Sequence, residues 1–406
     1  NQNISVIINE IPGKAPGTES ITTDFEYWKS IEYDSSHASN LSFEKGEKLE
    51  LGSEGEKLML LVDLLDCQGY DLDSSGTLGT FDSVLHFLVK EYQFDRGLYP
   101  DGVIGNGTAY WLNLSPLDYI DLLRVNLERY RWLPGNPGDF YVMVNIPEFH
   151  LRLYSSDSVI FESRTVVGKK SRQTPVISAL MTYLELNPTW TIPPTILAYD
   201  VLPKLGENTD YLKSKNIGVY TTDGVKVHPD SINWSAYSSK SLPYKLRQSP
   251  GWNNALGTIK FMFPNKYYIY IHDSPGKDLF SHGSRAYSSG CVRMEDPRDF
   301  ASILLANDTS WTYEKIVAKL GGSNQKIPLS ETPMVYLLYF TSFDDGSGMR
   351  YFPDIYNRDE SILNALNTSL SYPEALQNRK LEAERIYSDS SANQLSDASS
   401  TFAVNK

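Results

Sequence analysis

The chain has 406 residues, of which 41% are hydrophobic and 12% aromatic, and its formal net charge is −13. A chain of this size can bury a large core, and its length predicts two or three domains. An acidic chain without a Lys/Arg cluster does not fit nucleic-acid binding, so we expect no nucleic-acid partner. Residues 1–4 do not resemble a signal peptide and no apolar run reaches the length of a membrane span. We therefore expect any export signal or anchor to lie outside this sequence.

The N-terminal third of the chain has a helical pattern. We expect a helix at residues 24–31 and assign residues 1–45 to the first part of a helical scaffold. Residues 46–113 form a module in which apolar side chains recur at helical spacing. These side chains are Leu58, Leu61, Val62 and Leu65 for a first helix, and Phe81, Val84, Leu85, Leu88 and Tyr92 for a second. A short third helix is predicted at 108–112, and the residues alone are also compatible with a bundle that binds nothing.

The rest of the chain alternates between β and helical patterns. An amphipathic helix at 115–135 closes the scaffold, and residues 114–137 form its connector. Alternating and β-branched runs then predict a mainly β domain at 138–358, interrupted at about 200–256 by an aromatic-rich polar segment. Helices are expected at 360–366 and 373–387 within the C-terminal part, 359–406. The tail from residue 388 is rich in Ser, Asp and Asn, and we expect it to be disordered.

The chemistry-bearing stretch joins a predicted strand, residues 267–271, to His272 and then to Cys291. A thiol becomes a nucleophile when a base or a positive charge favours its thiolate. His272 stands at a strand end, from which an imidazole can be aimed, and we expect it to form an ion pair with the Cys291 thiolate. The small residues 288–290 allow backbone amides to approach a reacting carbonyl. We expect a backbone carbonyl, rather than the adjacent Asp273 side chain, to orient His272.

Other side chains near this stretch have open roles. His282 also precedes Cys291, but it lies in a polar loop, so we favour His272 as the base. Arg293 would hold a substrate carboxylate or favour the thiolate, or else form a structural salt bridge. Tyr270 lies two residues before His272 and shares its strand face. Cys67 ends a helical apolar run and is predicted to be a buried small hydrophobe rather than a disulfide partner. The six histidines lack metal-ligand spacing, so we expect no metal and no cofactor.

The ordered string Tyr270-Ile-His-Asp-Ser-Pro followed by Ser-Ser-Gly-Cys-Val-Arg293 resembles the signature of the YkuD-type L,D-transpeptidases. Most of that family has a second histidine where this chain has Ser289. The Ser-Ser-Gly-Cys variant is similar to the large YcbB-like branch of Gram-negative bacteria. The resemblance implies that Cys291 is the nucleophile and His272 the base, and that the amides of Gly290 and Cys291 form the oxyanion hole. The candidate substrate contacts are Tyr270, Arg293, Trp190, Ser289 and His282, although Trp190 could equally belong to the core.

The resemblance extends from about residue 50 to residue 360. The module at 46–113 is similar to peptidoglycan-binding helical modules, and the segment at 200–256 occupies the place of a capping subdomain. We therefore expect an α+β fold: a mainly β YkuD-type catalytic domain with an inserted capping subdomain, a three-helix peptidoglycan-binding module and a helical scaffold.

The implied reaction releases D-Ala from a tetrapeptide donor stem and forms a 3→3 meso-diaminopimelate crosslink to an acceptor stem. It proceeds through a cysteine thioester and is inhibited by carbapenems. The expected partners are peptidoglycan and other cell-wall synthesis enzymes, and the expected location is the periplasm, with an inner-membrane anchor as an open point. Two alternatives remain: a carboxypeptidase or endopeptidase that uses water as acceptor, and a non-catalytic wall-binding scaffold.

Overall fold

The structure is a computed structural model that describes residues 18–31, 40–70, 79–133, 136–156, 158–205, 209–346 and 348–368. Its first helices are α1 (Thr18–Ser30), α2 (Glu56–Cys67), α3 (Ser83–Asp95), α4 (Asn106–Leu112) and α5 (Pro116–Tyr130). Helix α5 begins with a capping box between Ser115 and Asp118, with Pro116 at its first position. The helices predicted in this third of the chain are all present.

Helices α2, α3 and α4 contribute their apolar faces to one shared core. On α3 the buried side chains are Leu85, Val89 and Tyr92, whereas Val84 is 61% exposed. The prediction that Val84 and Leu88 belong to the buried face was therefore wrong at Val84 and only partly right at Leu88. The helix starts after its N-cap Asp82, and the residue before each buried position is turned about 100° away from the core.

Cys67 is exposed, so the prediction of a buried small hydrophobe was wrong. The buried line of α2 runs through Leu58, Leu61 and Leu65, and a residue two positions beyond Leu65 points away from that line. Residues 71–78, which follow α2, lie outside the described residues.

The strands of the remaining chain are β1 (Phe140–Asn145), β2 (His150–Ser155), β3 (Ser158–Gly168), β4 (Ile177–Leu180), β5 (Tyr183–Leu186), β6 (Trp190–Thr191), β7 (Ile217–Thr221), β8 (Lys226–Val227), β9 (Tyr244–Gln248), β10 (Ile259–Met262), β11 (Ile271–His272), β12 (Ala286–Ser288), β13 (Val292–Met294), β14 (Gln325–Pro328), β15 (Met334–Leu338), β16 (Ser342–Asp344) and β17 (Met349–Tyr351). The main sheet has the order β14-β5-β10-β11-β13-β3-β2-β1-β15-β4, and β12 pairs with β3. Parallel pairing joins β11 to β13 and β1 to β15. The domain is therefore mainly β, as expected.

The strand before His272 is shorter than predicted. Only Ile271–His272 pairs with its neighbours, and the residues before it form a turn. The Asn265 side-chain amide organises this turn by donating to the Phe263 and Ile269 carbonyls, each at 2.7 Å. Tyr268 has φ 56° and is largely exposed. The aromatic and β-branched composition of residues 267–271 was misread, because a side-chain-capped turn satisfies the backbone there.

The insertion into the main sheet is a small folded unit with its own core. Its sheet has the order β6-β9-β7-β8, and its helical segments are α6 (Pro194–Ile196), a π-helical turn (Leu197–Val201), α7 (Leu202–Leu205) and α8 (Asp210–Ser214). Leu212, Val219 and Leu246 are among its buried residues. The unit begins at Trp190, about ten residues before the predicted boundary. An irregular surface loop, the simplest interpretation of the sequence, is therefore excluded for the described residues of the insertion.

One face of the main sheet is apolar and is packed by a helix. The inward side chains of β5, β10, β11 and β13 include Leu184, Phe261, Ile271 and Val292, which are all fully buried in the same cluster. Helix α9 (Pro297–Leu304) adds Phe300 to this cluster, and α10 (Tyr313–Lys319) adds Ile316. The opposite face of these strands is therefore left for polar side chains.

A buried arginine joins the helical segments to strand β17 of the two-stranded sheet β16-β17. Arg96 is 4% exposed, and its guanidinium carbon lies 4.7–5.9 Å from four tyrosine ring centroids. These belong to Tyr70, Tyr92, Tyr119 on α5 and Tyr351 on β17. Trp28 on α1 stacks on Tyr119 at 3.9 Å and donates to the Tyr351 hydroxyl at 2.6 Å. Aromatic faces therefore stabilise this buried cation.

The last described element is α11 (Asp359–Asn367), in a second compact unit that starts at Arg358. It matches the helix predicted at 360–366. The helix predicted at 373–387 and the tail from 388 lie outside the described residues. Among the helices that the structure describes, none combines the length and the apolar character needed to cross a bilayer.

Candidate active site

His272 is buried at the centre of the polar face, on β11 between β10 and β13. It is 4% exposed and lies opposite Lys260 on β10 and Arg293 on β13. Its Nδ1 is 2.5 Å from the Asp273 carbonyl oxygen. Because a carbonyl can only accept, Nδ1 carries the proton and Nε2 keeps its lone pair. The expectation of a backbone carbonyl as the third partner is confirmed.

The Asp273 carboxylate holds that carbonyl in place without touching the imidazole. It accepts from the Thr258 amide at 2.8 Å and hydroxyl at 2.9 Å, and from Lys277 Nζ at 2.8 Å. A side chain at Gly257, where φ is +63°, would place a Cβ 2.4 Å from this carboxyl group. Close backbone approach therefore requires glycine there. The sequence offered no signal for Thr258 or Lys277 as supports of the site.

Cys291 immediately precedes β13, as Tyr270 immediately precedes β11. Since the two strands are parallel, Tyr270 and Cys291 lie side by side. Tyr270 is two residues before His272 and Cys291 is two residues before Arg293, so all four side chains are on the same face. Burial and the nearby Cys291 raise the pKa of the Tyr270 hydroxyl, and the Trp190 side chain lowers it, so the hydroxyl lies close to both side chains. The structure therefore brings the predicted residues Tyr270, Trp190 and Cys291 together. Trp190, with its polar edge directed to Tyr270, is part of the site as well as of the core.

Both members of the Cys–His pair are neutral at rest. Burial raises the pKa of the Cys291 thiol, although the Tyr270 hydrogen bonds and the charges of Lys260 and Arg293 act in the opposite direction. Burial, together with the positive charge of Arg293, lowers the pKa of His272 to about 3. The expected resting ion pair was therefore wrong, because the sequence does not show how strongly the two groups are desolvated. A neutral imidazole with a free Nε2 is suited to act as a general base when the thiol attacks.

The loop before Cys291 is tightly held. Gly290 has φ +117°, its amide donates to Ser288 Oγ at 3.0 Å, and its carbonyl accepts from Thr174 Oγ1 at 2.8 Å. Ser288 Oγ donates to the Cys291 carbonyl at 2.6 Å. The Gly290 amide would have to leave Ser288 to bind an oxyanion, so the oxyanion hole at Gly290 and Cys291 stays a prediction.

Ser289, which stands in place of the family's second histidine, connects the loop to the insertion. Its hydroxyl accepts from Arg172 at 2.9 Å. Arg172 also forms a bidentate pair with Asp200 in the π-helical turn of the insertion. The sequence pattern did not single out Arg172 or Asp200, because they come from a turn and from an insertion that lack a motif.

Arg293 has a buried Nε without a hydrogen-bond partner among the described residues. Burial lowers the pKa of its guanidinium, and the nearby Cys291 opposes this shift. No salt bridge to Arg293 occurs within the described ranges, so its interpretation as a structural ion pair lacks support there. An unpaired donor beside the thiol is available to an incoming anionic group.

His282 has no described hydrogen bond with His272 or Cys291. It is exposed, and its Nδ1 lies 3.2 Å from the Tyr287 hydroxyl. The neighbouring Gly283 packs against Tyr99 of the helical module, where an added Cβ would meet the Tyr99 Cβ at 2.9 Å. The structure thus joins His272, and not His282, to the polar face that holds Cys291. The described residues contain no cluster of His, Cys, Asp and Glu that could hold a metal ion.

The mainly β fold, with a thiol and a buried imidazole on the same face of two paired strands, defines a candidate site for thiol-based acyl transfer. Residues 139–317 match the model of the YkuD family, the L,D-transpeptidase catalytic domain. This part of the chain is therefore similar to the YkuD family of L,D-transpeptidase catalytic domains, a family of cysteine-dependent acyltransferases.

The comparisons include one curated relative and several solved structures. A Haemophilus influenzae protein, whose name assigns it provisionally to the L,D-transpeptidases, is 36% identical over 243 residues, which cover 59% of this chain and 48% of that protein. The chain thus spans about half the length of this relative. A catalytic domain of an E. faecium L,D-transpeptidase, acylated by ertapenem, is 14% identical and covers 50% of this chain and 100% of that one, with a TM-score of 0.24. An L,D-transpeptidase from Mycobacterium smegmatis is 10% identical, with 49% and 58% covered and a TM-score of 0.24. TM-scores this low support no structural argument.

Proposed function

We propose that this protein forms 3→3 meso-diaminopimelate crosslinks in peptidoglycan. The observation that carries the proposal is that the buried His272 imidazole and the Cys291 thiol share one face of paired parallel strands, within residues that match the YkuD model. The Cys291 sulfur attacks the carbonyl of the third residue of a tetrapeptide stem while its proton passes to His272 Nε2. The C–N bond to D-Ala then breaks, and the imidazolium returns the proton to the leaving amine.

The second half of the reaction uses the same groups. The side-chain amine of an acceptor stem attacks the thioester, and His272 takes a proton from that amine. The C–S bond breaks and the thiol is regenerated. The unpaired Arg293 Nε supports binding of a stem carboxylate, since guanidinium groups bind carboxylates with short, charge-assisted hydrogen bonds.

A tetrapeptide exchange assay tests this proposal. Incubation with purified disaccharide-tetrapeptide is expected to give a crosslinked dimer with loss of one D-Ala, detected by mass spectrometry. Disaccharide-tripeptide without dimer would instead show that water is the acceptor, which is the carboxypeptidase alternative. Unchanged tetrapeptide with folded protein would contradict both enzymatic activities and leave the wall-binding scaffold.

We also propose an exported, periplasmic protein that carbapenems inhibit. The location follows from the proposed substrate, which lies outside the cytoplasm. A carbapenem presents a strained lactam carbonyl to the same thiol, and ring opening would leave an acyl group on Cys291.

The helical module at 46–113 is proposed to bind peptidoglycan. In support, α3 presents two large apolar side chains outward, Val84 and Phe87, which are 61% and 60% exposed. They lie three residues apart and therefore on one side of the helix. Exposed apolar side chains on a folded module favour a binding role over a purely structural one.

A pelleting experiment with insoluble peptidoglycan tests this role of the module. The double variant Val84→Ser/Phe87→Ser is expected to lose at least about half of the sedimented protein, because its contact area is removed. The matched control is Leu117→Ser, since Leu117 is 69% exposed on α5, outside the module. Equal sedimentation of the double variant, the control and the unchanged protein would leave the module with a structural role.

A further inference from the structure

A row of charged side chains crosses the sheet through His272. Residues that lie opposite each other on paired strands point to the same face. Following the register from β14 to β13, the row is Lys326, Glu185, Lys260, His272 and Arg293. His272 is thus flanked by two cations, Lys260 on one neighbouring strand and Arg293 on the other.

Lys260 is the cation next to His272 that no motif indicates. Its Nζ lies 4.2 Å from the ring centroid of Tyr270, which lies beside Cys291 directly before the paired strands β11 and β13. Its side chain is 15% exposed, so solvent screens its charge only partly. The ammonium therefore sits beside the reacting pair at a place where its field is strong.

The carboxylate partner of Lys260 holds it only loosely. The distance from Lys260 Nζ to Glu185 Oε2 is 4.0 Å, which is too long for a hydrogen bond. Glu185 Oε1 meanwhile accepts from the Asn324 side chain at 2.6 Å. Glu185 therefore compensates the charge of Lys260 without occupying its donors.

We propose that Lys260 is a positioning residue of this site, acting through Tyr270 and through its charge to stabilise the thiolate that develops on Cys291. The role of Lys260 in catalysis rests on the proposed function, whereas its effect on the ionisation of Cys291 does not. As the proton leaves the sulfur, negative charge appears on a face where Lys260 and Arg293 are both positive. The same cations disfavour an imidazolium at rest, so His272 stays unprotonated and ready to accept.

The charged and titratable groups that face Lys260 come from every strand packed around it. They are Glu185 on β5, Lys326 on β14, Tyr270 and His272 at β11, and Cys291 and Arg293 at β13. Of these, Glu185 and an ionised Cys291 favour the charged ammonium, and Lys326 opposes it. A purely structural Lys260, paired with Glu185, would leave the ionisation of Cys291 unchanged when it is replaced.

The test measures thiol ionisation directly, as the pH dependence of iodoacetamide alkylation at Cys291 in a Cys67→Ser background. Lys260→Met keeps the length of the side chain and removes its charge. It is expected to move the alkylation midpoint upward by about one pH unit, while Lys260→Arg stays within about 0.3 units of the parent. A folded Lys260→Met variant whose midpoint equals that of the parent would overturn the inference.

Glu185→Gln provides a second test of opposite sign, in case Lys260→Met does not fold. Removing this carboxylate leaves the charge of Lys260 less compensated, so the Cys291 midpoint is expected to move downward. An upward or absent shift would contradict the proposal. Alkylation requires no peptidoglycan, so these results stand even if the tetrapeptide assay shows no transpeptidation.

Discussion

Replacement of Cys291 by alanine is expected to abolish both dimer formation from tetrapeptides and the covalent adduct with meropenem. Both reactions need a sulfur nucleophile, and water activated by His272 cannot form a thioester. The loss of turnover should reach roughly four orders of magnitude. Intact-protein mass spectrometry would show one meropenem mass on the unchanged protein and none on the variant. Circular dichroism should show that the variant is folded, because the substitution removes only one sulfur atom at a partly buried position.

The matched control is Cys67→Ala. Cys67 is the other cysteine of the chain and lies exposed at the end of α2. Burial and the negative charges of Asp66 and Asp63 raise its pKa, so it stays a neutral thiol at pH 7 despite its exposure. Peptide mapping should place the meropenem adduct on Cys291 alone. A meropenem adduct on Cys67, or one that survives in Cys291→Ala, would refute the assigned nucleophile.

Replacement of His272 by alanine is expected to lower the rate of acylation by roughly 10²- to 10⁴-fold, the range for loss of a general base. The pH profile gives a sharper signature. With the His272 pKa at about 3, the unchanged protein should show no acid limb near pH 6.5. In His272→Ala only thiolate already formed can react, so its rate should rise about tenfold per pH unit below the thiol pKa.

The matched control for the base is His282→Ala. His282 is exposed, and the hydrogen bond described for its ring is with Tyr287. Its removal should change the rate by no more than about threefold, in line with a surface substitution. An inactive His282→Ala variant together with an active His272→Ala variant would reverse the assignment.

The central pair was predictable because it lies in one continuous stretch. Cys291 and His272 are joined by a single loop, and small residues before the cysteine mark a close backbone approach. The carbonyl partner of His272 followed from the geometry of an extended chain, in which Asp273 points the other way. The helical segments were predicted from the spacing of apolar residues. Single positions such as Val84 were wrong, because the residue at which a helix begins decides which side chains face the core.

The surrounding residues were not predictable from the chain alone. Thr258, Lys260 and Arg172 reach the site from segments that contain no motif, and only the folded structure brings them to it. The charge state of Cys291 and His272 was also out of reach, since it depends on burial rather than on residue type. Cys67 was predicted to be buried because an apolar run precedes it. It lies two residues beyond Leu65, the last buried residue of α2, and is exposed.

The strand order has a consequence for how the chain must fold. In the parallel pair of β1 and β15, the Asn145 side chain accepts from the Phe340 amide across 195 residues of sequence. Trp28 and Tyr351 are joined across 323 residues. Pairings this distant close large loops and slow the formation of a native sheet. Until β15 is available, β1 presents an unpaired edge to any other strand. The newly made chain is therefore most exposed to misassembly in the interval before β15 has been synthesised.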